Sequence, residues 1–266
     1  VVVDEQHRFG VEQRAALAAK SPGDKRPHVL VMTATPIPRT VAMTVFGDLD
    51  ICSLKELPQG RSPITTHVVL SVEKPGHLER GWQRAVEEVK NGHQVYIVAP
   101  RIGGAAAEDD TDLETEDEKR PPLAVLEVAP MLSGGPLKNV RVGVLHGRMS
   151  SEEKDDIMRR FNAGPSAKDG IDVLVSTTVI EVGVDVPNAT VMVIEHAERF
   201  GLAQMHQLRG RVGRGAAASH CILINNSNSA VAKQRLDVLA RSLDGFEIAE
   251  VDLRLRGPGQ VLGTQQ

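Results

Sequence analysis

The sequence predicts an α/β fold, a parallel sheet with helices on both faces, followed by a C-terminal helical hairpin. Three observations point to it. Short segments rich in Val, Ile and Leu recur along the chain and alternate with segments of helical period, which is a βαβ pattern. Those segments are apolar on both faces, as the buried strands of a parallel sheet are. The length of 266 residues suffices for one large or two modest domains, each with a normal core. Aromatics are only 3%, so Val, Ile, Leu and Ala must fill it.

Taken in order, residues 1 to about 57 read as strand, helix, strand, helix, strand, with strands at 1–3 and 28–32 and helices at 11–20 and 39–46. The run Leu57-Pro58-Gln59-Gly60-Arg61-Ser62-Pro63 carries breaker residues and predicts a linker. Strand 64–70, helix 76–90 and strands 94–99 and 141–145 follow. Ser150 and Glu153 have capping-box spacing ahead of a helix at 152–161. Strands at 172–176, 190–195 and 221–224 complete the sheet. Helices at 230–242 and 247–256, joined by the turn Asp244-Gly245-Phe246, form the hairpin, and a glycine-rich loop, 257–266, ends the chain. Small, acidic and Pro residues over 103–122 break the pattern and predict a disordered surface loop.

The net charge of −4 argues superficially against nucleic acid. Yet Glu108, Asp109, Asp110, Asp112, Glu114, Glu116, Asp117 and Glu118 supply eight negative charges in that one loop; without them the balance is about +4, compatible with a basic surface for DNA. Cys52 and Cys221 are far apart and lack ligand-spaced partners, which excludes a zinc site and implies thiols in a reducing compartment. No signal peptide or long apolar run is seen, so the expected place is the cytoplasm, with no membrane.

Two segments carry chemistry. In Gln207-Leu208-Arg209-Gly210-Arg211-Val212-Gly213-Arg214, a continuous helix would set Gln207, Arg211 and Arg214 on one face. Two adjacent guanidiniums suit the spread charge of a transferring phosphoryl group. Gly210 and Gly213 are costly in a helix and signal close backbone approach or a helix end. At the other end of the chain, Val1-Val2-Val3-Asp4-Glu5-Gln6-His7 is a strand ending in two carboxylates, at the edge where α/β sheets bind ligands. Asp4 would hold Mg²⁺ through water and Glu5 polarise an attacking water.

These segments resemble the superfamily-2 helicases. Asp4 to His7 is similar to motif II, Thr33 to Thr35 to motif III, Thr177 to Asp185 to motif V and Gln207 to Arg214 to motif VI. The wording is nearest to RecG-type branched-DNA helicases at Asp4-Glu5-Gln6-His7-Arg8-Phe9-Gly10, at 33–40, at Leu145-His146-Gly147-Arg148-Met149, at 177–188 and at 198–204. The resemblance implies a RecA-like parallel sheet: the end of lobe one at 1–57 and a complete lobe two at 58–227. The hairpin and loop at 228–266 resemble a translocation motif shared with Mfd-type translocases.

The resemblance also implies roles. Arg214 is the arginine finger and Arg211 a second γ-phosphate ligand, with Gln207 a further catalytic residue of the same motif. Asp185 reaches the ribose or orients the arginines; its other reading is the polar face of a short strand. His7 relays nucleotide state, or simply caps. Thr33 and Thr35 couple hydrolysis to movement, or make turn chemistry ahead of Pro36. Arg39, His146, Thr177, Thr178 and Glu181 face DNA, with a surface arginine and a structural histidine as the plain alternatives for Arg39 and His146. Arg254, Arg256 and Gln260 belong to the lever of the translocation motif. The implied ligands are ATP and Mg²⁺, and the implied partners branched and double-stranded DNA and a single-strand-binding protein, for a monomer at the bacterial nucleoid.

No Gly-Lys dipeptide occurs, so the phosphate-cradling Gly-x-x-x-x-Gly-Lys-Ser/Thr loop is missing. The expectation is a fragment of a longer motor that does not hydrolyse ATP efficiently alone. Two other functions remain open: an Mfd-like transcription-repair translocase, against which Gln6 speaks, and a non-catalytic DNA- or protein-binding module. A PriA-like restart helicase would need cysteine clusters, and two cysteines exclude it.

Overall fold

The computed structural model describes residues 2–3, 28, 30–33, 52, 54, 62–100, 125–181 and 185–256. The chain divides into two compact units, Val1–Gly47 and Asp48–Gln266. In the first, β1 (Val2–Val3) pairs in parallel with β2 (Leu30–Val31), and the Met32 amide donates to the Val3 carbonyl at 2.8 Å. The two strands therefore run in the same direction. The helices expected at 11–20 and 39–46, the acidic stretch 103–122 and the loop 257–266 lie outside the described residues.

The second unit is built on six parallel strands: β3 (Ile64–Leu70), β4 (Gln94–Val98), β5 (Val142–Leu145), β6 (Val173–Ser176), β7 (Ala189–Ile194) and β8 (Ser219–Asn225). Their order across the sheet is β3-β8-β7-β4-β6-β5. The helices are α1 (Pro75–Lys90), α2 (Val125–Gly134), α3 (Ser151–Ala163), α4 (Leu202–Arg209), α5 (Ala230–Arg241) and α6 (Gly245–Arg256). Short 3₁₀ turns stand at Thr178–Glu181 and Ala197–Arg199.

Alternation along the strands sorts the core into two layers. Val95 and Ile97 of β4 pack with Val191 and Val193 of β7 under Trp82 and Ala85 of α1 and Val128 and Leu132 of α2. Tyr96, Val98, Met192 and Leu223 face the other way, against Phe161 of α3, Met205 of α4, Leu239 of α5 and Ile248 of α6. Right-handed crossovers account for this division: connections moving one way along the sheet lie on one face and those moving back lie on the other.

Most strands and helices agree with the sequence reading to within two residues. The capping box is present: Glu153 N–H donates to Ser150 Oγ at 3.2 Å and Ser150 N–H to Glu153 Oε2 at 2.8 Å. Helix α2 is an addition; Pro130 inside it masks it as a breaker, although Val125, Val128, Ala129 and Leu132 are all buried. Among the described residues no helix is long and apolar enough to cross a membrane, and no group of three His, Cys, Asp or Glu could hold a metal ion.

Candidate nucleotide and nucleic-acid site

The second unit places its expected site residues at opposite edges of one sheet. Strands β7 and β8 begin at the first edge, and the segments that precede them, around Asp185 and Arg211 to Gly215, meet there. Gly213 has φ +74°, and a Cβ on it would lie 2.7 Å from Ile64 Cγ1 and 3.2 Å from the Ser62 carbonyl. A Cβ on Gly215 would lie 2.6 Å from the Pro187 carbonyl. Only glycine permits this approach, and it brings Arg214 to Asp185, with Nη1 at 3.0 Å from Oδ1. Arg214 Nε also donates to the Gly210 carbonyl at 3.2 Å. The arginine is thus oriented by one carboxylate and one carbonyl while the Asp185 side chain stays 65% exposed.

This geometry corrects the expectation of a single helix face. Helix α4 ends at Arg209 with Gly210 as its C-cap, so Gln207 lies in its last turn and Arg211 and Arg214 stand in the loop beyond. The two glycines explain the break: one ends the helix and the other takes the left-handed region. Asp185 does not lie in a strand either; β7 starts only at Ala189.

The residue the sequence reading passed over is Arg209. It is 2% exposed and has no carboxylate partner among the bonds it makes. Its Nη1 donates to the carbonyls of Leu239 at 2.5 Å and Ser242 at 2.9 Å and to Thr66 Oγ1 at 3.3 Å, and Nη2 meets His206 Nδ1 at 2.9 Å. The charge is offset by the C-terminal carbonyls of α5, where cations are favoured. Arg235 of α5 reciprocates, donating to the Phe200 carbonyl at 2.9 Å and to that of Glu198 at 3.4 Å, just ahead of α4. Arg209 and Arg235 thus hold α4 to α5 at both ends of α4. Spacing was the available signal: Leu202, Met205 and Arg209 fall at i, i+3 and i+7, so Arg209 continues the apolar stripe.

At the sheet's other edge the strands end. His146 follows β5, Thr177 follows β6 and Thr178 opens the 3₁₀ turn that contains Glu181. Thr177 N–H donates to the Leu145 carbonyl at 3.3 Å, His146 N–H meets Met149 Sδ at 3.4 Å, and Lys154 Nζ donates to the Gly147 carbonyl at 3.0 Å. His146 Nδ1, Ser176 Oγ and Asn225 Nδ2 are buried without a hydrogen-bond partner among the described residues. Glu195 and His196 follow β7, and His196 is non-glycine at φ 50°, a position that costs energy and clusters at functional sites. Its Nδ1 meets Glu198 Oε1 at 3.0 Å, and Glu198 Oε2 accepts from Asn226 N–H at 3.1 Å. Burial, with the neighbouring Glu198 charge, pushes the Glu195 carboxyl up to about 7, against the opposing influence of His196.

Thr33 is exposed just past β2, and Arg254 is exposed on α6, where it pairs with Glu250 at 2.7 Å. Asp4, Glu5, His7, Thr35, Arg39 and Gln260 lie outside the described residues, as do the side chains of Glu181 and Arg256.

Residues 82–216 match the family described as helicase conserved C-terminal domain, and residues 242–266 match the C-terminal part of domain 3 of the ATP-dependent DNA helicase RecG. The RecG of Mycobacterium leprae (strain TN) is 52% identical over 273 residues, covering 100% of this chain and 35% of that protein. The RecG of Synechocystis sp. is 52% identical over 266 residues, covering 100% and 29%. A solved structure of RecG bound to a three-way DNA junction is similar at 40% identity with a TM-score of 0.69, over 98% of this chain and 30% of that one. The chain spans about a third of the length of the curated relatives it matches.

Proposed function

Because the chain belongs to the helicase conserved C-terminal domain family, we propose that it is the motor portion of an ATP-dependent double-stranded DNA translocase that remodels branched DNA such as stalled forks and Holliday junctions. The observation that carries this reading is the Arg214–Asp185 pair, held by a glycine-tight loop at the sheet edge opposite His146, Thr177 and Thr178. One edge then serves the nucleotide and the other the DNA, so a change at one is transmitted through a rigid sheet.

In this reading Arg214 and Arg211 neutralise charge on the transferring γ-phosphoryl group, which needs positioning and electrostatic stabilisation more than covalent help. Gln207, in the last turn of α4, orients them, and Asp185 releases Arg214 or reaches the ribose. Glu5 activates the attacking water and Asp4 holds Mg²⁺ through water. Short hydroxyls at Thr177 and Thr178 suit close bonds to DNA phosphate oxygens; His146, Glu181 and Arg39 also contact DNA in this reading. Thr33, Thr35, Arg254, Arg256 and Gln260 couple hydrolysis to movement along the duplex. The functional division is 1–57, 58–227 and 228–266. The protein acts as a monomer at the nucleoid, with a single-strand-binding protein as partner.

The test is ATP hydrolysis by the full-length protein on junction and on linear duplex DNA. Preference for the junction, lost in Arg214→Ala, is expected. Equal stimulation by linear duplex moves the reading to an Mfd-like translocase, and no stimulation by either leaves a binding module.

A further inference from the structure

Tyr96 lies in the middle of β4 and is fully buried. Its ring stands 5.1 Å from that of Phe161, tilted by 59°. It shares a core cluster with Val186, Leu208 and Val212, the first next to Asp185 in sequence and the last next to Arg211. The Tyr96 hydroxyl is buried and has no hydrogen-bond partner among the described residues. A buried hydroxyl left unpaired is destabilising, and phenylalanine would fill the same space without that cost. Packing alone therefore does not account for tyrosine.

The cluster that Tyr96 shares with Val186 and Val212 joins it to the segments that carry Asp185, Arg211 and Arg214, and the charges of those residues bear on its hydroxyl. Burial raises its pKa most; Arg214 and Arg211 pull it down and Asp185 pushes it up. These are the three residues of the proposed nucleotide edge. Arg214 is already bonded through Nη1 and Nε, and the carboxylate of its partner Asp185 is 65% exposed, so water can replace the guanidinium there.

Resting on the nucleotide reading of this cluster, we propose that Tyr96 is the positioning residue of the arginine pair, its buried hydroxyl accepting from a guanidinium N–H when Arg214 leaves Asp185 for the phosphate. The phenol lies on a central strand of the sheet, so it offers a fixed acceptor. Such an acceptor keeps the guanidinium plane in place while its remaining N–H groups face the ligand.

Tyr96→Phe tests this in two measurements. In the full-length protein, kcat for DNA-stimulated ATP hydrolysis is expected to fall about 10- to 100-fold, the scale of misplacing a catalytic group, with KM for ATP within about twofold. In the isolated chain the melting temperature is expected to stay level or rise; in the full-length protein the Arg211 and Arg214 side-chain nitrogen resonances are expected to shift on adding ADP with aluminium fluoride differently from wild type. An unchanged kcat, or identical resonances in both proteins, overturns the proposal. Arg214→Ala is the control: if it too leaves hydrolysis unchanged, the nucleotide reading itself fails, whereas a loss there beside an unaffected Tyr96→Phe sinks only the role of Tyr96.

Discussion

Arg209 of α4 donates a 2.5 Å hydrogen bond to the carbonyl of Leu239 in α5, joining the helix that leads into the arginine loop to the first helix of the C-terminal hairpin. The same guanidinium nitrogen holds the Ser242 carbonyl where α5 ends. Arg209→Met keeps the bulk and removes the donors, leaving buried carbonyls unpaired. It is expected to destabilise the chain by about 2–4 kcal/mol, read from urea unfolding. A loss below about 0.5 kcal/mol would show that the clamp is not structural.

Arg214→Ala in the full-length protein is expected to lower ATP hydrolysis by about 10³- to 10⁵-fold. The isolated chain should melt as before, because the partner carboxylate of Asp185 is mostly exposed. Asp185→Asn should likewise leave the melting temperature within a degree or two of wild type, measured calorimetrically.

Gly213→Ala forces a Cβ into the left-handed region and against Ile64. We expect a stability loss of about 1–3 kcal/mol together with a weakened arginine loop. Proteolysis of the 210–215 segment, faster in the variant than in wild type, is the check.

Buried Glu195 and half-buried His206 give stability opposite pH dependences. Burial, aided by Arg209, pulls His206 from 6.5 down to about 4, so its contribution is complete above pH 6.5 and lost as pH falls through about 4. Glu195 is pushed from 4.5 up to about 7, so its contribution is complete below pH 4.5 and lost as pH rises through about 7. Glutamine imitates the neutral acid. Glu195→Gln should therefore raise the melting temperature at pH 8 and leave it unchanged at pH 4; a gain at both would mean that protonation is not the cause.

Ser150→Ala removes the acceptor of the Glu153 amide at the start of α3. The expected cost is about 1 kcal/mol by denaturant unfolding, and Ser150→Asp should restore most of it.

Residue chemistry alone determined the parallel α/β architecture, because strands buried on both faces leave continuous apolar runs, as over residues 95–98 in β4 and 191–194 in β7. It likewise determined the start of α3, since a capping box is a purely local device. The motif VI arginines were legible as a pair of neighbouring cations for the same reason: their spacing is short. Three things were decided only by the tertiary structure. Helix α2 forms despite Pro130 because its apolar face is buried under the sheet, and burial outweighs a local breaker. Arg214 reaches Asp185 because Gly213 and Gly215 pass close to Ile64 and Pro187, residues far away along the chain. Arg209 and Tyr96 take their roles from groups brought near by folding, the carbonyls of α5 and the charges of the arginine loop. Local periodicity encodes which face of an element is buried; which partner waits there depends on contacts between distant segments, and no short window of sequence contains them.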